Sequence, residues 1–498
     1  MKYIKISIVT LLVSFISIFA YKLTTNNSSN KISLTKEQMK EMLSYTIDGN
    51  STSSMPTKGS GYKVKSITCK SGSILTWDND NWLLEVEKLE SEDLCNIDFT
   101  TGTGSYTVTA VPSISGSLDS TSKTTTENGQ VTFYTDAIID SVSGCTSEIS
   151  DGKVIVKNVT SNTTCNINVS YMKLYDKLLA DNPTRDTRNT YNAVFTNNTT
   201  GTLFTATEKN VHNTKDTTVY YYAGNTTNNW VKFAGYYWRI IRTNADGSVR
   251  MLYSGTSHDT TSGYLSTGNS KFNTSFNSPK YVGYMYGEND DTLVNARTNT
   301  NNSTIKTAID NWYASNMTSY TKYLSTTAVY CNDRTEQTPG TYNTGSTEFS
   351  YAPRARVYTN YTPTYDCTET SDAFSGSNTS AKLTYPIALM TVDEIMYAGG
   401  KGGTSLTSPY AWYYLNSANG SITGSTWWWL LSPNRWSGSS ASVFIVFGSS
   451  NPGRFSYYDV LSTQGVRPAV SLKSCVKTSG GNGTSVTPYE IVETSSGC

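Results

Sequence analysis

The chain has 498 residues, enough for several domains of roughly 100–200 residues each. It has 39 basic and 39 acidic residues, so it has no excess of positive charge that would attract nucleic acid. We therefore expect no nucleic-acid partner. Aromatic residues make up 12% of the chain, which excludes a disordered protein because they supply a packed core. Only 16% of residues are charged, a composition typical of extracellular β-rich proteins.

Residues 1–22 have the pattern of a secretory signal peptide or signal anchor. Two lysines precede an apolar run from Ile6 to Ala20, and Lys22 follows it. The run is short for a membrane span, which needs about 20 residues, and Ala20 fits a cleavage site poorly. The sequence therefore predicts export to the cell surface or beyond. It leaves open whether the segment is cleaved or anchors the protein in the membrane, and a buried helix is the alternative.

Residues 23–57 are predicted to form a polar tether and a short helix. The helix, over Ser33–Asp48, has capping-box spacing between Thr35 and Gln38. Its apolar face is formed by Met39, Met42 and Leu43. Such a helix would space the first folded module from the membrane.

The eight cysteines fall into four pairs of sequence neighbours. No CxxC spacing occurs and no histidines cluster near them, so a zinc site is not expected. In an exported protein we expect each cysteine to form a disulfide with its neighbour in sequence. Each disulfide would stabilise the fold by roughly 3 kcal/mol. Free buried thiols are the alternative. The predicted pairs are Cys69 with Cys95, Cys145 with Cys165, Cys331 with Cys367, and Cys475 with Cys498.

An internal repeat divides the next region into two β-rich modules, residues 58–104 and 105–171. Alternating apolar and polar residues predict half-buried strands in both. The matching segments are VKSITC (Val64–Cys69) with IDSVSGC (Ile139–Cys145), and LEVEKLESEDLCNIDF (Leu84–Phe99) with VIVKNVTSNTTCNINV (Val154–Val169).

This spacing, above all over Tyr106–Tyr171, resembles the small B-repeats of bacterial internalin-type surface proteins. In that family the repeats are stalks or spacers, so the resemblance implies a spacer role without catalytic residues. The loop Thr76–Trp82 is rich in Asp and Asn, as calcium-dependent sugar sites are, but we interpret it as a turn between two strands.

Residues 172–188 are predicted to form a linker helix that leads into one large domain, residues 189–498, with room for a sizeable core. Within the domain, Trp230–Gly255 has the pattern of a β-hairpin. Ser303–Met317 has helical periodicity, with Ser303 as its cap. A second helix begins at Thr391, which has capping-box spacing to Glu394.

Three strand-like segments follow the second helix: TWWWLLSP, ASVFIVF and GVRPAVSL. Two helices followed by strands with irregular loops are the order expected of an α+β, C-type-lectin-like fold. We therefore predict this fold class for the C-terminal domain, with the small β-rich repeat modules N-terminal to it.

The segments WRIIRTNADGSVRMLY, YPIALMTVDEIMYAGG, WWWLLSPN and GVRPAVSL together resemble a family of surface proteins of Gram-positive gut bacteria. The resemblance covers roughly Tyr220–Lys473. It implies a C-type-lectin-like, formylglycine-generating-enzyme-like fold and a surface location, but no reaction. The formylglycine-generating enzymes use a reactive cysteine pair, whereas Cys475 and Cys498 here lie at and beyond the last core strand, so no oxidase site is expected.

The sequence contains no recognisable catalytic constellation. Its two histidines, His212 and His258, lie far apart in polar sequence, and motifs for serine hydrolases, zinc proteases or phosphate loops are missing. The acidic stretch Gly287–Asp291 does not have EF-hand spacing and is interpreted as a solvated loop. We therefore expect no enzymatic activity, no cofactor and no metal.

Ser432–Gln464 is the stretch most typical of a ligand-binding surface. Nine of its 33 residues are serine, with tyrosine, tryptophan, arginine and asparagine added and no lysine or glutamate, a composition similar to that of antibody paratopes. The alternative is that serine and glycine here only form turns. The predicted ligand-binding residues are Asn434, Arg435, Trp436, Asn451, Arg454, Tyr457 and Tyr458.

The four tryptophans of STWWWLLSPNRW are expected to divide into two groups. A strand over Trp427–Leu431 would place most of the triple tryptophan in the core, and after Pro433 the chain would leave the strand. Trp436 is then the predicted exposed platform for a ligand. The resulting hypothesis is a non-enzymatic surface protein that binds a protein or glycan, with a purely structural surface module, or a cell-wall or glycan-acting enzyme, as alternatives.

Overall fold

The computed structural model of the protein describes residues 22–23, 41–78, 82–102, 104–258, 263–337, 339–414 and 426–498. The chain is β-rich and falls into two compact units, Met1–Ser170 and Tyr171–Cys498. The predicted signal segment up to residue 21 and the tether over residues 24–40 lie outside the described residues. Among the residues that are described, no helix combines the length and the apolarity that a membrane span requires.

The N-terminal unit consists of two modules whose four-stranded sheets share one topology. Each has a four-stranded sheet whose central pair is parallel and whose outer pairs are antiparallel. Its strand order is Asn50–Thr52, Leu43–Ile47, Cys95–Thr101, Tyr62–Cys69 in the first module and Ser122–Thr126, Ser105–Pro112, Thr163–Ser170, Ile138–Ser143 in the second. A three-stranded sheet accompanies each: Lys22–Leu23, Leu83–Lys88, Ile74–Asp78, and Gly129–Tyr134, Lys153–Val159, Ser147–Ser150. The repeated sequence segments thus occupy equivalent positions.

The first module begins earlier than the sequence indicated. Leu43–Ile47, the end of the predicted helix, is a strand that pairs in parallel with Cys95–Thr101. Its alternate residues Leu43, Tyr45 and Ile47 pack against the buried cluster of this module. The helix prediction is therefore wrong for these residues, because pairing with a strand about 50 residues away in sequence outweighs a local capping signal.

In the C-terminal unit, residues 172–188 are not a separate linker. Leu174–Asp181 is a helix whose Leu174 and Leu178 are buried in the core of this unit. The Leu174 amide donates to the Val476 carbonyl at 2.8 Å. The helix is therefore an integral part of the C-terminal unit.

A ten-stranded sheet forms the framework of the C-terminal unit. The hairpin predicted over Trp230–Gly255 lies within it and is confirmed by the pairing of Tyr236–Thr243 with Val249–Tyr253. The sheet contains, in order, Thr184–Asp186, Thr202–Asn210, Asn213–Tyr221, Tyr236–Thr243, Trp230–Phe233, Tyr489–Ile491 and Thr478–Gly480, with Val249–Tyr253, Pro468–Leu472 and Ile387–Leu389 branching from it.

Both predicted helices of this unit are confirmed. Thr304–Asn316 is capped by Ser303, whose hydroxyl accepts from the Lys306 amide. Val392–Ala398 has the full capping box of Thr391 and Glu394. The other helical segments among the described residues of this unit are Leu293–Ala296 and Ala352–Ala355 (α), Pro279–Val282, Thr318–Tyr323 and Thr379–Ala381 (3-10), and Arg356–Asn360 (π).

A second, four-stranded antiparallel sheet carries the tryptophan-rich segment, and we call it the tryptophan sheet. Its strand order is Phe349–Ser350, Trp428–Trp436, Ala441–Val446, Phe455–Asp459. Within the described part of the unit, three two-stranded ladders lie elsewhere: Ser270–Lys271 with Thr463–Gln464, Met285–Tyr286 with Asn301–Asn302, and Tyr330–Cys331 with Ala373–Phe374.

All four predicted disulfides are present. Cys69 pairs with Cys95, Cys145 with Cys165, Cys331 with Cys367, and Cys475 with Cys498. The first two bonds lie at equivalent positions in the two N-terminal modules. Four disulfides are typical of proteins that fold in an oxidising, extracellular environment.

Candidate functional site

The strand that carries the triple tryptophan is longer than predicted, and it places Trp436 in the core. The strand extends over Trp428–Trp436, with bulges around Pro433, which has no amide to donate to the ladder. Trp436 is only 2% exposed, and its indole nitrogen donates to the Gly345 carbonyl at 2.8 Å. The prediction that Trp436 is an exposed platform is therefore wrong, because the added strand Phe349–Ser350 extends the sheet past Pro433.

Asn434 is also buried rather than exposed. Its backbone carbonyl accepts from the Tyr351 amide at 3.0 Å, and its side-chain Oδ1 accepts from Arg354 at 3.1 Å. These bonds fasten the tryptophan sheet to the segment that precedes the π-helix. Packing of the triple tryptophan was predicted correctly, since Trp428 and Trp429 are fully buried.

Asn451 and Arg454 lie at the opposite end of the sheet from Asn434, Arg435 and Trp436. They belong to the turn between the last two strands, where the Arg454 amide donates to the Asn451 carbonyl. The register pairs Val446 with Phe455 at this end and Ser442 with Asp459 at the other. Four residues of strand separate the two ends by about 13 Å, so the predicted residues do not form one site.

The remaining predicted residues, Arg435, Tyr457 and Tyr458, line a shared groove of about 290 Å³ along the edge strand of the sheet. We call it the sheet-edge groove. Strand pairing explains its composition, because directly paired residues point to the same face. Ser442 pairs with both Arg435 and Asp459, which brings a guanidinium and a carboxylate to one side. The full lining is Arg435, Ser437, Ser440, Ser442, Tyr457, Tyr458 and Asp459.

The hairpin turn Ser437–Ser440 closes one end of the groove. The Ser437 hydroxyl accepts from the Ser440 amide at 3.0 Å, and the Ser440 hydroxyl donates to Asp459. Gly438 has φ +84°, and a Cβ there would lie 2.2 Å from the Ser346 carbonyl oxygen. Glycine is therefore required for this turn to pack closely, which fixes the position of the serines.

The two tyrosines of the groove have different surroundings. The guanidinium groups of Arg435 and Arg354 each lie 5.0 Å from the ring centre of Tyr457, so cation–π contacts occupy this half-buried ring. Tyr458 is 44% exposed, and the half-buried Trp427 packs against its ring at 5.4 Å. Tyr458 pairs with Val443 and Tyr457 with Phe444, so the two rings point to opposite faces of the sheet, and the face that carries Arg435 and Asp459 is that of Tyr457.

The two charged side chains of the groove retain unused hydrogen-bonding capacity. Among the described residues, Arg435 forms one ion pair, with the exposed Glu348 at 2.6 Å. Asp459 accepts from the Leu461 amide at 2.8 Å and from Ser440. A carboxylate has about four acceptor positions and a guanidinium five donors, so both groups can still bind a ligand.

A second polar site lies between the second helix and the large sheet, and we call it the charged cavity. Glu394 accepts from Arg250 at 2.7 Å and from Arg242 at 3.1 Å. Arg356 binds Asp393 through two nitrogens at 2.8 and 2.9 Å and Asp333 through a third at 2.7 Å. No local pattern marks these pairs, because the partners lie 23 to 152 residues apart in sequence.

Six of the charged side chains that line this cavity form ion pairs with one another. Burial by itself would raise the pKa of Glu394, but Arg250 and Arg242 outweigh it and hold that pKa below its usual value. Burial likewise opposes ionisation of Asp333, yet Arg356 lowers its pKa. The space inside is about 20 Å³, enough for about one water molecule. The charged cavity therefore acts as a packing element that holds helix and sheet together.

The histidines and the acidic stretch do not form a reactive centre together. The exposed His212 lies 2.8 Å from the Ser375 hydroxyl, and His258 packs against Tyr237. In the loop Gly287–Asp291, the Asp291 carboxylate accepts from the Asn295 side chain.

Among the residues that the structure describes, one cluster of metal-type ligand atoms occurs, formed by Cys69, Asp93 and Cys95 of the N-terminal unit. The two sulfurs are bonded to each other. Asp93 accepts from the amides of Ser71 at 2.6 Å and Ser73 at 2.8 Å. The two sulfurs therefore form a disulfide, and the Asp93 carboxylate is hydrogen-bonded to the backbone of a turn.

No family model matches this chain, and no match was found among curated proteins or among solved structures. The functional interpretation therefore depends on the geometry of the sheet-edge groove.

Proposed function

We propose that this protein is exported and acts at the cell surface or outside the cell as a non-enzymatic binding protein. The C-terminal unit, which we propose to be C-type-lectin-like, would take a protein or glycan ligand in the sheet-edge groove. The N-terminal modules would serve as a spacer, as their resemblance to surface-protein repeats implies. Residues 1–22 would direct export and, if retained, provide a membrane anchor.

The observation that carries this proposal is the groove itself. It is concave, it presents Tyr457 beside serine hydroxyls, and among the described residues its Arg435 makes one ion pair and its Asp459 side chain accepts two hydrogen bonds. A small number of fixed polar groups around an aromatic contact surface is the composition of ligand sites in general. The four disulfides support an extracellular setting.

The proposal predicts that filling the groove abolishes binding. Ser437→Trp places an indole inside the groove, whereas Ser439→Trp places the same side chain on the exposed tip of the same turn. The purified chain and both variants would be applied to printed extracellular-matrix proteins and glycans. We expect at least one probe that binds the native chain and Ser439→Trp but binds Ser437→Trp at least about tenfold more weakly.

Thermal unfolding of both variants checks that each is folded. If no probe binds, or if the two tryptophan variants bind every probe equally, the groove is not a ligand site and a structural role becomes the better interpretation.

A further inference from the structure

We infer that the C-terminal unit binds a small monovalent anion, of the size and chemistry of chloride, between the buried guanidinium groups of Arg239 and Arg467. This site shares no residue with the sheet-edge groove and does not depend on the proposed function. Arg239 is 1% exposed and Arg467 is fully buried. Among the described residues neither forms an ion pair with a carboxylate, and their hydrogen bonds go to neutral oxygens, those of Asn229 and Thr226 for Arg239 and of Tyr253 and Tyr413 for Arg467. Two buried cations without a negative partner destabilise a fold, because arginine keeps its proton in proteins.

The large sheet brings the two arginines to one of its faces. Leu252 pairs with Arg239 on one neighbouring strand and with Ala469 on the other, so these three side chains point the same way. Arg467 lies two residues before Ala469 and therefore shares this face. Both guanidinium groups thus enter the same side of the core.

Aromatic residues enclose the two guanidinium groups. The guanidinium carbon of Arg239 lies 5.8 Å from the ring centre of Trp412, and the carbonyl of the adjacent Tyr413 accepts from Arg467 at 2.9 Å. The guanidinium carbon of Arg467 also lies 4.8 Å from the ring centre of Trp428. One aromatic segment therefore contacts both arginines. Aromatic rings stabilise a cation only in part, so the positive charge still lacks a counter-charge.

Three buried donors beside these arginines lack a hydrogen-bond partner among the described residues. They are Nη2 of Arg467, Nε1 of Trp428 and the hydroxyl of Ser254. Ser254 follows Leu252 by two residues, which places its side chain on the face that carries the arginines. The nitrogen atoms only donate, and the hydroxyl can donate as well. An anion accepts from all three groups, whereas a cation would satisfy neither nitrogen.

Charge and burial together select a small monovalent anion. Burial lowers the pKa of Arg467 to about 10, and burial together with the nearby Arg467 lowers the pKa of Arg239 to about 9. Both groups therefore stay cationic at neutral pH, and an anion between them offsets their mutual repulsion. A divalent anion loses much more hydration energy on entering the core, because that energy rises with the square of the charge.

The test measures thermal unfolding of the full chain as chloride replaces gluconate, a much larger anion, at constant ionic strength. We expect the melting temperature to rise by at least about 2 °C between zero and about 150 mM chloride and then to level off, as a saturable site requires. Bromide should act in the same way. Equal melting temperatures in chloride and gluconate would overturn the inference.

Arg467→Met should abolish this chloride dependence, because it removes an unpaired donor and one of the two positive charges. Arg185→Met is the matched control, since Arg185 also donates to a backbone carbonyl and lies over a tyrosine ring but is exposed. It should keep the chloride-dependent rise within about twofold of the native value. If both variants respond to chloride alike, the inference is wrong.

A direct measurement covers the case in which Arg467→Met does not fold. Crystals of the native chain grown in bromide would be measured at the bromine absorption edge. We expect an anomalous peak at hydrogen-bonding distance from Nη2 of Arg467. Anomalous peaks at the protein surface alone would contradict a buried site.

Discussion

The charged cavity and the sheet-edge groove contain the same kinds of residue, arginines, carboxylates and serine or threonine hydroxyls, within one compact unit. In the cavity six charged side chains, Arg242, Arg250, Arg356, Asp333, Asp393 and Glu394, pair with opposite charges, and about one water molecule fits inside. In the groove the pair of Arg435 and Glu348 lies at the surface, and Asp459 and Tyr458 face open space. The two sites differ in how many of their donors and acceptors are already hydrogen-bonded within the protein.

This contrast shows why residue type alone does not locate a binding site. A buried carboxylate next to two guanidinium groups is important for stability. If it is removed, the positive charges of the guanidinium groups stay buried without that partner, which lowers the free energy of unfolding. A surface pair contributes little to stability because water competes for both groups. The same chemistry is therefore structural in one place and available to a ligand in the other.

The largest effect should come from removing the shared carboxylate of the charged cavity. Glu394→Gln leaves Arg242 and Arg250 buried without that negative charge, and we expect a loss of about 3–5 kcal/mol in the free energy of unfolding. Urea unfolding followed by tryptophan fluorescence would measure it. Only Trp77 and Trp82 of the ten tryptophans precede residue 171, so the signal reports mainly the C-terminal unit.

Glu348→Gln is the control for this substitution, because it removes the surface partner of Arg435 in the same way. Its expected cost is below about 1 kcal/mol. Similar losses for Glu394→Gln and Glu348→Gln would show that the two sites do not differ as described.

A medium effect is expected where a predicted ligand residue has become a core residue. Trp436→Phe removes the hydrogen bond to the Gly345 carbonyl and part of a buried ring, and it should cost about 1–2 kcal/mol. Tyr458→Phe, its counterpart in the groove, should cost less than about 0.5 kcal/mol. Chemical unfolding compares the two, and an unchanged stability of Trp436→Phe would restore the view that Trp436 is exposed.

The smallest effect is a pH dependence that distinguishes the buried charges from surface ones. In the folded protein the pKa values of Glu394 and Asp333 lie below their usual values of 4.5 and 3.8. The two carboxylates therefore stabilise the fold fully at pH values above 4.5. This stabilisation is lost as the pH falls through their lowered pKa values in the folded protein. Burial raises the pKa of Asp372 despite Arg334 and Arg297, which offsets part of this loss. Unfolding free energy should therefore fall below about pH 4, and the fall should persist in 1 M salt, which screens exposed pairs. If the decrease in unfolding free energy at low pH disappears in 1 M salt, surface charges cause it instead.

Several elements were predictable because their signals are local or nearly so. The helices Thr304–Asn316 and Val392–Ala398 follow from apolar periodicity and from capping residues within one turn. The four disulfides join cysteines 20 to 36 residues apart, so pairing of sequence neighbours was sufficient to predict them. Strand alternation likewise predicted that Trp428 and Trp429 would be packed.

The candidate site was predicted only in part. Arg435, Tyr457 and Tyr458 do line one groove, but Ser437, Ser440, Ser442 and Asp459 were not singled out. The serine-rich composition of Ser432–Gln464 was a signal for the serines, whereas nothing local marked Asp459, which enters through its pairing with Ser442.

The sequence by itself determined the local elements, the repeated modules and the disulfides of this protein, because periodicity, caps and spacing act over short stretches of chain. Tertiary structure decided which polar residues are free to act. Trp436 became core because Phe349–Ser350, 87 residues before it, adds a strand to its edge. Glu394 became structural because two arginines more than 140 residues away enclose it. Exposure and unused hydrogen-bonding capacity depend on such distant neighbours, and no local pattern encodes them.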